Sequence, residues 1–355
     1  MVNSIKERSK NPLDEIWPID ELEEVSACPY CESGARKLAY EDVQDWSFQS
    51  APGKWKYWDC QNCGCLYLSP RPTERSVGLA YSNYYTHNTL RSRVVYAAIR
   101  ERLKNDWISS LLGFSFTPRF YIPRFVVRMA AFLANKTSIP FGLGELKNRK
   151  RGNLLDFGCG SGFYLYLAQQ LGWNAMGIDA DPLAVESARR RGVNVIQGSY
   201  EVLKEYPRYF DCVICSHVLE HMYHPLELLR AVAGSIRNDG ALLLSLPNST
   251  SALRKHFGSD WRGLEAPRHI SIPSQSELVK ILKSLGFSVE SCGDTELGNV
   301  VECFRIRRRS LAVKSIDVAS AKNLLLNQSL PESNANDFTK LTCTKRHEVD
   351  SVFSC

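Results

Sequence analysis

Three glycines spaced two residues apart are the part of the sequence that says most about chemistry. Gly158, Gly160 and Gly162 follow a strand-like apolar run that contains Asp156, and a helix-like segment begins at Phe163. Glycine allows positive φ angles and lets a ligand lie against the backbone. A strand, a glycine turn and a helix N-terminus together form a nucleotide pocket in a doubly wound sheet. A dinucleotide fingerprint would need glycine at position 163, so the spacing does not match a dinucleotide site.

A carboxylate follows at the end of the next predicted strand. Asn174 to Asp179 reads as a strand, after which Asp181 suits a helix N-cap and Pro182 the first helical position. An acid at this place can accept hydrogen bonds from both hydroxyls of a ribose. The alternative is that Asp179 is only a turn residue.

Four cysteines in two pairs form a second group of chemical interest. Cys28 and Cys31, and likewise Cys60 and Cys63, are separated by two residues, so both thiolates of a pair can reach one ion. Four thiolates close a tetrahedral site, and we therefore predict a structural zinc ribbon. Cys65 is an alternative to Cys63, although the pattern Cys-x-x-Cys-Gly favours Cys63. A redox disulfide is the other alternative.

The elements that must position these residues alternate between strand and helix. Near-continuous apolar strands that alternate with helices imply a parallel sheet covered on both faces. Ser274 and Glu277 have the form of a capping box at the start of a helix. The predicted strands after the first two are 193–196, 210–215, 241–246, 287–291 and 300–306.

The order of these motifs resembles that of the class I S-adenosylmethionine-dependent methyltransferases. Within that class it is most similar to the methyltransferase type 23 family and the ubiquinone-biosynthesis O-methyltransferases. The resemblance rests on the glycine loop, on Ser216-His-Val-Leu-Glu-His after the fourth strand and on Leu246-Pro-Asn after the fifth, and it covers about residues 150–292. It implies a seven-stranded Rossmann-like α/β sheet of order 3-2-1-4-5-7-6, with helices on both faces. Strands 287–291 and 300–306 would then be the last two, one of them antiparallel.

The resemblance also implies S-adenosylmethionine as the cofactor. In that family the glycine loop packs against the methionine and adenosine parts of S-adenosylmethionine, and no pyrophosphate is bound. The predicted cofactor-binding residues are Asp156, Gly158, Cys159, Gly160, Gly162, Asp179, Ala180, Ser199, Ser216 and His217.

Three histidines are the predicted catalytic candidates. Methyl transfer to a hydroxyl or a carbon acid needs alignment and a base, and histidine titrates near neutrality. His217 and His221 follow the fourth strand, and His269 lies in an insertion after the fifth. In ubiquinone O-methyltransferases the matching segment holds two glutamates and a histidine that can bind a divalent ion. Glu220 and His221 match that pattern, but His217 replaces the first glutamate, which weighs against magnesium.

Arg268, which precedes His269, has two interpretations. It could hold a carboxylate or phosphate of the substrate bidentately, or it could be a surface arginine in a turn.

The chain is predicted to have five parts: a polar N-terminal tail (1–24), the zinc ribbon (25–75), a helical linker or lid (76–149), the cofactor-binding domain (150–310) and a partly disordered C-terminal segment (311–355). The linker has no acid between residues 109 and 144, where arginines alternate with phenylalanines. That stretch is either a surface for an anionic or lipid-linked substrate or, as we favour, a lid that packs on the domain with solvated basic residues.

Composition is that of an ordinary globular protein. The chain has 355 residues, 44% hydrophobic and 23% charged, with a net charge of +6. The polar N-terminus predicts neither a signal peptide nor a membrane anchor, and twelve cysteines without such a peptide indicate a reducing, cytoplasmic compartment. Peripheral membrane contact is compatible with this composition, whereas a transmembrane segment is not expected.

The function predicted from the sequence is methyl transfer to oxygen or carbon of a small molecule, such as a sugar or glycan precursor. Zinc ribbons ahead of methyltransferase domains also occur in deoxysugar C-methyltransferases, although those carry a longer C-terminal domain. A nucleic-acid or protein methyltransferase is one alternative. It is not favoured, because Ser216-His217-Val218 stands where an Asn-Pro-Pro-Tyr-like motif would be needed and the net charge is modest. A non-catalytic scaffold is the second.

Overall fold

Strands and helices alternate through most of the chain. The computed structural model describes residues 12–81, 91–134, 141–291, 297–311 and 337–346. The strands, in chain order, are β1 Leu22–Glu23, β2 Arg36–Val43, β3 Trp55–Cys60, β4 Leu66–Leu68, β5 Arg71–Pro72, β6 Asn153–Phe157, β7 Asn174–Asp179, β8 Asn194–Gln197, β9 Phe210–Ser216, β10 Ile236–Pro247, β11 Ser271–Ile272, β12 Phe287–Ser291 and β13 Phe338–Lys345. The α-helices are α1 Arg91–Leu112, α2 Arg124–Ala134, α3 Leu143–Asn148, α4 Phe163–Gln170, α5 Pro182–Arg190, α6 Pro225–Ser235, α7 Ala252–Phe257, α8 Gln275–Ser284 and α9 Leu297–Ser310.

Seven strands form the main sheet in the order β12-β13-β10-β9-β6-β7-β8. Read from the β8 edge, this is the predicted order 3-2-1-4-5-7-6, which is therefore confirmed. The pairs among β10, β9, β6, β7 and β8 are parallel. Only β13 runs the other way, since it is antiparallel to both β10 and β12.

Helices cover both faces of the main sheet. Leu165 of α4 and Val185 of α5 are buried in the core on one face, and Leu228 of α6 and Leu282 of α8 in the core on the other. The caps predicted from the sequence start two of these helices. Asp181 Oδ1 accepts the Leu183 amide at 2.9 Å, and Ser274 Oγ accepts the Glu277 amide at 3.2 Å. These caps satisfy amides that a helix leaves unpaired at its first turn.

The seventh strand is not the one predicted. Residues 300–306 lie inside helix α9, and the strand between β10 and β12 is β13. β13 belongs to the segment 311–355, for which the sequence predicted partial disorder, and the structure describes residues 311 and 337–346 of that segment. The sheet of the cofactor-binding domain thus extends beyond the predicted boundary at 310.

A second sheet joins the N-terminal part of the chain to the cofactor-binding domain. Its order is β11-β4-β3-β2, in which β2, β3 and β4 belong to the predicted ribbon. β11 comes from residues 248–273, here called the insertion, which follow β10 and also contain α7. Ser271 and Ile272 pair antiparallel with Tyr67 and Leu66. The predicted ribbon and the insertion therefore share one sheet.

The linker forms two contacting helices, α1 and α2, followed by α3. Ile108 of α1 and Phe116 are fully buried in the core beneath α4 and α5. Within the described ranges, no helix is both long and apolar enough to cross a bilayer.

Candidate functional site

The glycine loop joins β6 to α4 and has all three glycines at positive φ, at 75°, 52° and 69° for Gly158, Gly160 and Gly162. A Cβ on Gly158 would lie 2.4 Å from Val218 Cγ2, and one on Gly162 would lie 2.6 Å from Val193 Cγ2. These two positions need glycine because a side chain there would clash with neighbouring protein atoms. Gly160 differs, since a Cβ there would meet nothing within 4 Å. The loop thus leaves open space at its middle glycine, where a ligand can lie against the backbone.

Asp179, at the end of β7, holds this loop in place through hydrogen bonds to backbone amides. Its Oδ2 accepts the Gly160 amide at 2.8 Å, and its Oδ1 accepts the Asp181 amide at 2.9 Å. Burial raises the pKa of the Asp179 carboxyl, and the two amide bonds oppose that effect. A carboxylate accepts about four hydrogen bonds, so it retains capacity for hydroxyls of a ligand.

Two polar groups lie beneath the loop in apolar surroundings. Burial and the nearby charge of Asp179 raise the pKa of Asp156 to about 8. Tyr164 Oη is buried and has no hydrogen-bond partner among the described residues. A buried hydroxyl without a partner is rare in native proteins, which points to a group bound in the adjoining space.

A cleft of about 660 Å³ opens beside the loop, at the carboxyl edge of the parallel strands. Its lining includes Asp156, Gly158 and Cys159 from β6 and the loop, and Ser216, His217, His221 and His269. The cleft thus brings the predicted cofactor loop and all three predicted catalytic histidines together.

Other predicted cofactor residues lie beside the cleft and do not line it. Gly160, Gly162, Asp179 and Ala180 form the loop and the adjoining end of β7. Ser199 is exposed, and its Oγ caps a short 3-10 turn by accepting the Glu201 amide at 3.3 Å.

His217 and Glu220 form a pair at the end of β9. His217 Nδ1 lies 3.3 Å from Glu220 Oε1, and the Glu220 side chain is fully buried while His217 is 51% exposed. Burial alone would lower the pKa of His217, but the bond and the charge of Glu220 outweigh it and raise that pKa. His217 has φ of +56°, an uncommon conformation for a non-glycine residue, and its amide donates to Ser245 O at 2.7 Å. The backbone thus fixes the imidazole at the cleft.

The other two histidines are each held through Nδ1 by a carbonyl. His221 Nδ1 lies 2.9 Å from Arg268 O, and His269 Nδ1 lies 2.7 Å from Gly263 O. Since a carbonyl only accepts, each Nδ1 carries a proton, and in the neutral form of either ring Nε2 keeps the lone pair. Burial lowers the pKa of His269 to about 4, so this ring is neutral at physiological pH.

Arg268 is neither a substrate clamp nor a surface arginine, so both sequence interpretations are wrong. Its side chain is fully buried, and it donates to Ala80 O at 2.8 Å and to the Asp45 carboxylate. A third bond joins its Nε to Glu265 Oε1 at 3.3 Å. The arginine therefore ties the insertion to the N-terminal part of the chain.

The divalent ion implied by the resemblance does not fit the residues present. Magnesium prefers oxygen ligands, and the first glutamate of the pattern is His217, which is bonded to Glu220. Glu220, His221 and His269 do offer one ligand atom each within 4.8 Å of one another. These ligands are two imidazoles and one carboxylate, whereas magnesium prefers oxygen ligands throughout.

The four predicted zinc ligands do come together. One Sγ from each of Cys28, Cys31, Cys60 and Cys63 lies within 4.8 Å of the others, and the Cys28–Cys63 and Cys31–Cys60 sulfur distances are 3.6 and 3.4 Å. A tetrahedron with zinc–sulfur bonds of about 2.3 Å needs similar separations. Cys65 is buried nearby and accepts the Ser274 amide at 3.4 Å. The donor set fits structural zinc, with Cys63 as the fourth ligand.

Sequence reasoning missed the side chains that reach the cleft from distant segments. Phe338 and Lys340 of β13, Asn299 of α9 and Lys104 of α1 all line it. The signal for β13 was the alternation of Thr339, Leu341 and Cys343, whose side chains are buried in the sheet.

Comparison with known proteins agrees with the geometry. Residues 128–292 match the methyltransferase 23 family model, described as a methyltransferase domain. The mitochondrial ubiquinone biosynthesis O-methyltransferase of Schizosaccharomyces pombe is 30% identical over 134 residues, which cover 34% of this chain and 48% of that protein. Its counterpart in Xanthomonas campestris pv. campestris is 34% identical over 106 residues, or 28% of this chain and 44% of that one. The chain thus spans about half the length of the relatives it matches. A methyltransferase structure from Archaeoglobus fulgidus covers 64% of this chain and 96% of its own at 21% identity, with a TM-score of 0.41.

The sheet order, the glycine loop and the family match define the class. Residues 128–292 match a methyltransferase domain of the methyltransferase 23 kind, the main sheet has the strand order of class I S-adenosylmethionine-dependent methyltransferases, and a four-cysteine cluster precedes the matching residues. S-adenosylmethionine is the cofactor of that class.

Proposed function

We propose that this chain transfers the methyl group of S-adenosylmethionine to an oxygen or carbon nucleophile of a small acceptor. The observation that carries the proposal is a cleft that the glycine loop shares with His217, His221 and His269. When bound, the cofactor supplies an electrophilic methyl group on a sulfonium. The chain must then align the acceptor and remove its proton.

The loop and the acids around it would hold the cofactor. Space beside Gly160 admits it to the backbone, and the unused oxygen capacity of Asp179 suits ribose hydroxyls. The cofactor is cationic at sulfur, and the Asp156 carboxyl at the cleft wall would favour that charge once ionised. Tyr164 Oη offers a free hydroxyl in the same wall.

His217 is the proton acceptor in this proposal. Its Nδ1–H donates to Glu220, which leaves Nε2 with a lone pair for the acceptor proton. Glu220 fixes the tautomer and stabilises the imidazolium that forms, as the carboxylate of a catalytic dyad does. His217 takes the proton as the new bond to the methyl carbon forms and the sulfur–methyl bond breaks. The rings of His221 and His269, which also line the cleft, would orient an acceptor hydroxyl.

The cleft favours a hydroxyl-rich acceptor. Arg262, Glu265 and Lys340 line it beside the histidines, so part of the wall is charged and polar. Another part is apolar and is made by Phe141, Ile214 and Phe338. Relatives that match the domain are named for O-methylation in ubiquinone biosynthesis, which supports oxygen as the nucleophile. A sugar or glycan precursor, free or lipid-linked, combines those properties, and a cytoplasmic location would give access to such precursors.

Methyl transfer from labelled S-adenosylmethionine tests the proposal. Purified chain is incubated with sugar nucleotides, lipid-linked glycans and phenols, and equilibrium dialysis measures cofactor binding separately. With the acceptor that is labelled, His217→Asn should lower kcat by about 10²–10⁴ and leave cofactor affinity within a few-fold. His224→Asn is the matched control, because His224 is exposed and pairs with Glu74 outside the cleft.

The pH profile separates a base from a structural histidine. A base must be neutral, so kcat/KM should rise with pH through the raised pKa of His217 and level off above it. Glu220→Gln removes the charge that raises this pKa, so the acidic limb should move to lower pH as kcat falls. An unchanged rate for His217→Asn would remove it from the mechanism. Tight cofactor binding without transfer to any acceptor class would instead support a scaffold.

A further inference from the structure

An apolar patch on the linker is exposed at five neighbouring side chains. In the loop before α2 and on α2, Phe120, Tyr121, Phe125, Val126 and Met129 are 42%, 64%, 73%, 41% and 60% exposed. Single exposed apolar residues are ordinary, but a contiguous group of this kind marks a surface that contacts something. The sequence interpretation we favoured, a lid packed on the domain, does not account for it.

The fold holds this patch outward. The buried carboxylate of Asp106 accepts the Phe120 amide at 2.8 Å and the Ile122 amide at 3.2 Å. Between them Tyr121 has φ of +61°, a conformation that costs free energy for an aromatic residue. The loop therefore presents Tyr121 to solvent from a fixed backbone.

Among the described side chains of α2, residues 124–130, those on one side pack against the protein. Val127 is buried, and Arg128 Nη2 donates to Ser110 O of α1 at 3.3 Å. Phe125, Val126 and Met129 are exposed, so this outer side of α2 has no partner in the described part of the chain.

Positive charge surrounds the patch. Arg119 and Arg124 flank it, and no acid occurs in the sequence between Asp106 and Glu145. Asp106 is itself buried, so it does not offset this charge at the surface. The Arg119 guanidinium lies 4.4 Å from the Tyr121 ring centre, and Arg102 of α1 lies 5.4 Å from that of Phe120. Arginines beside aromatic and thioether side chains match the boundary between phosphate headgroups and acyl chains.

We propose that this patch docks the chain on a bilayer that carries anionic headgroups. Phe125, Met129 and Tyr121 enter the headgroup–acyl boundary, and the arginines contact lipid phosphates. The 11 residues of α2 are too few to span a bilayer, so the helix lies in its plane. α1 contacts α2 and also carries Lys104 at the cleft, so the docked surface lies close to the cleft mouth.

Vesicle flotation with the full-length chain tests the proposal. Vesicles of phosphatidylcholine alone are compared with vesicles that also contain phosphatidylglycerol, at low and high salt. The wild type should float with anionic vesicles only, and salt should weaken this binding. Phe125→Ser combined with Met129→Ser should reduce binding at least about ten-fold, and Arg124→Gln by about five-fold.

Leu183→Ser is the matched control, since Leu183 is 43% exposed on α5, outside the patch, and its loss should leave flotation unchanged. Far-ultraviolet circular dichroism and cofactor binding confirm that each variant is folded. No vesicle binding by the wild type, or equal binding by the patch variants, overturns the proposal. Concentration-dependent association that the patch variants abolish would assign the surface to a second copy of the chain. Neither result depends on methyl transfer.

Discussion

Asp156 shows how the proposed cofactor site would lower the stability of the fold. Its carboxyl is buried at the cleft wall with a pKa of about 8, against 3.8 for the ordinary group. Because folding raises the pKa of Asp156, this carboxyl makes its full contribution to the free energy of unfolding below about pH 4. That contribution is lost as the pH rises towards 8. At neutral pH this acid therefore destabilises the cofactor-free protein.

Asp156→Asn should accordingly stabilise the cofactor-free chain and weaken the cofactor site. We expect the free energy of unfolding at neutral pH to rise by about 1–3 kcal/mol, because the amide has no charge to desolvate. Affinity for S-adenosylmethionine should fall, whereas affinity for uncharged S-adenosylhomocysteine should fall less. Thermal unfolding and calorimetry measure the two effects. A destabilised variant would show that Asp156 is ionised and paired in the free protein.

Individual residues were predictable from sequence where their role is local. The glycine spacing, the caps of α5 and α8 and the two cysteine pairs depend on neighbours within a few positions. Arg268 is the opposite case, since its partner Asp45 is on another part of the chain. No local pattern predicts such a pair, and this is why a buried ion pair was taken for a clamp or a surface residue.

At the scale of elements, β13 shows where periodicity is ambiguous. The run from Val300 to Ile306 has the branched composition of a strand, but its buried residues Val300, Cys303 and Ile306 recur every three positions, as on a helix. β13 is rich in threonine and follows a long polar stretch. Its place between β10 and β12 depends on two distant strands, so the alternation alone could not assign it.

Leu341→Ala tests whether β13 is integral to the sheet. Leu341 is fully buried and pairs in register with Leu244 and Ser291. Removing its side chain should lower the free energy of unfolding by about 2–4 kcal/mol. Lys345→Ala, near the partly exposed end of the same strand, should lower the free energy of unfolding much less. Denaturant titration distinguishes them, and equal small effects would show that the sheet does not need this strand.

At the scale of the whole molecule, the four-cysteine cluster supports the cleft from outside it. Ser274 Oγ donates to Cys63 O and Ser249 Oγ to Gly64 O, both at 2.6 Å. The single hydroxyl proton of Tyr57 is shared between the carbonyls of Leu264 and His269, whose oxygens lie 2.7 and 2.8 Å from Oη. The chain around the cysteines is thus bonded to the insertion that positions His269.

Loss of zinc should therefore impair methyl transfer more than cofactor binding. Cys60→Ser should remove the metal and lower kcat/KM, because the insertion loses its support, while the glycine loop is elsewhere. Cys65→Ser is the matched control and should retain zinc. Metal content by mass spectrometry, dialysis and the transfer rate are measured together. Should Cys60→Ser not fold, Tyr57→Phe gives the same test by removing the two carbonyl bonds alone. If Cys60→Ser retained zinc and Cys65→Ser lost it, Cys65 would be a zinc ligand in place of Cys60.

The antiparallel pairing of β11 with β4 has a consequence for how such proteins can be recombined. The sheet that supports His269 is made from two pieces of polypeptide just over two hundred positions apart, and neither completes the sheet alone. A chimera that exchanges just one piece with a homologue would leave mismatched edges around His269. Transplanting acceptor preference from one protein to another would require moving both pieces together.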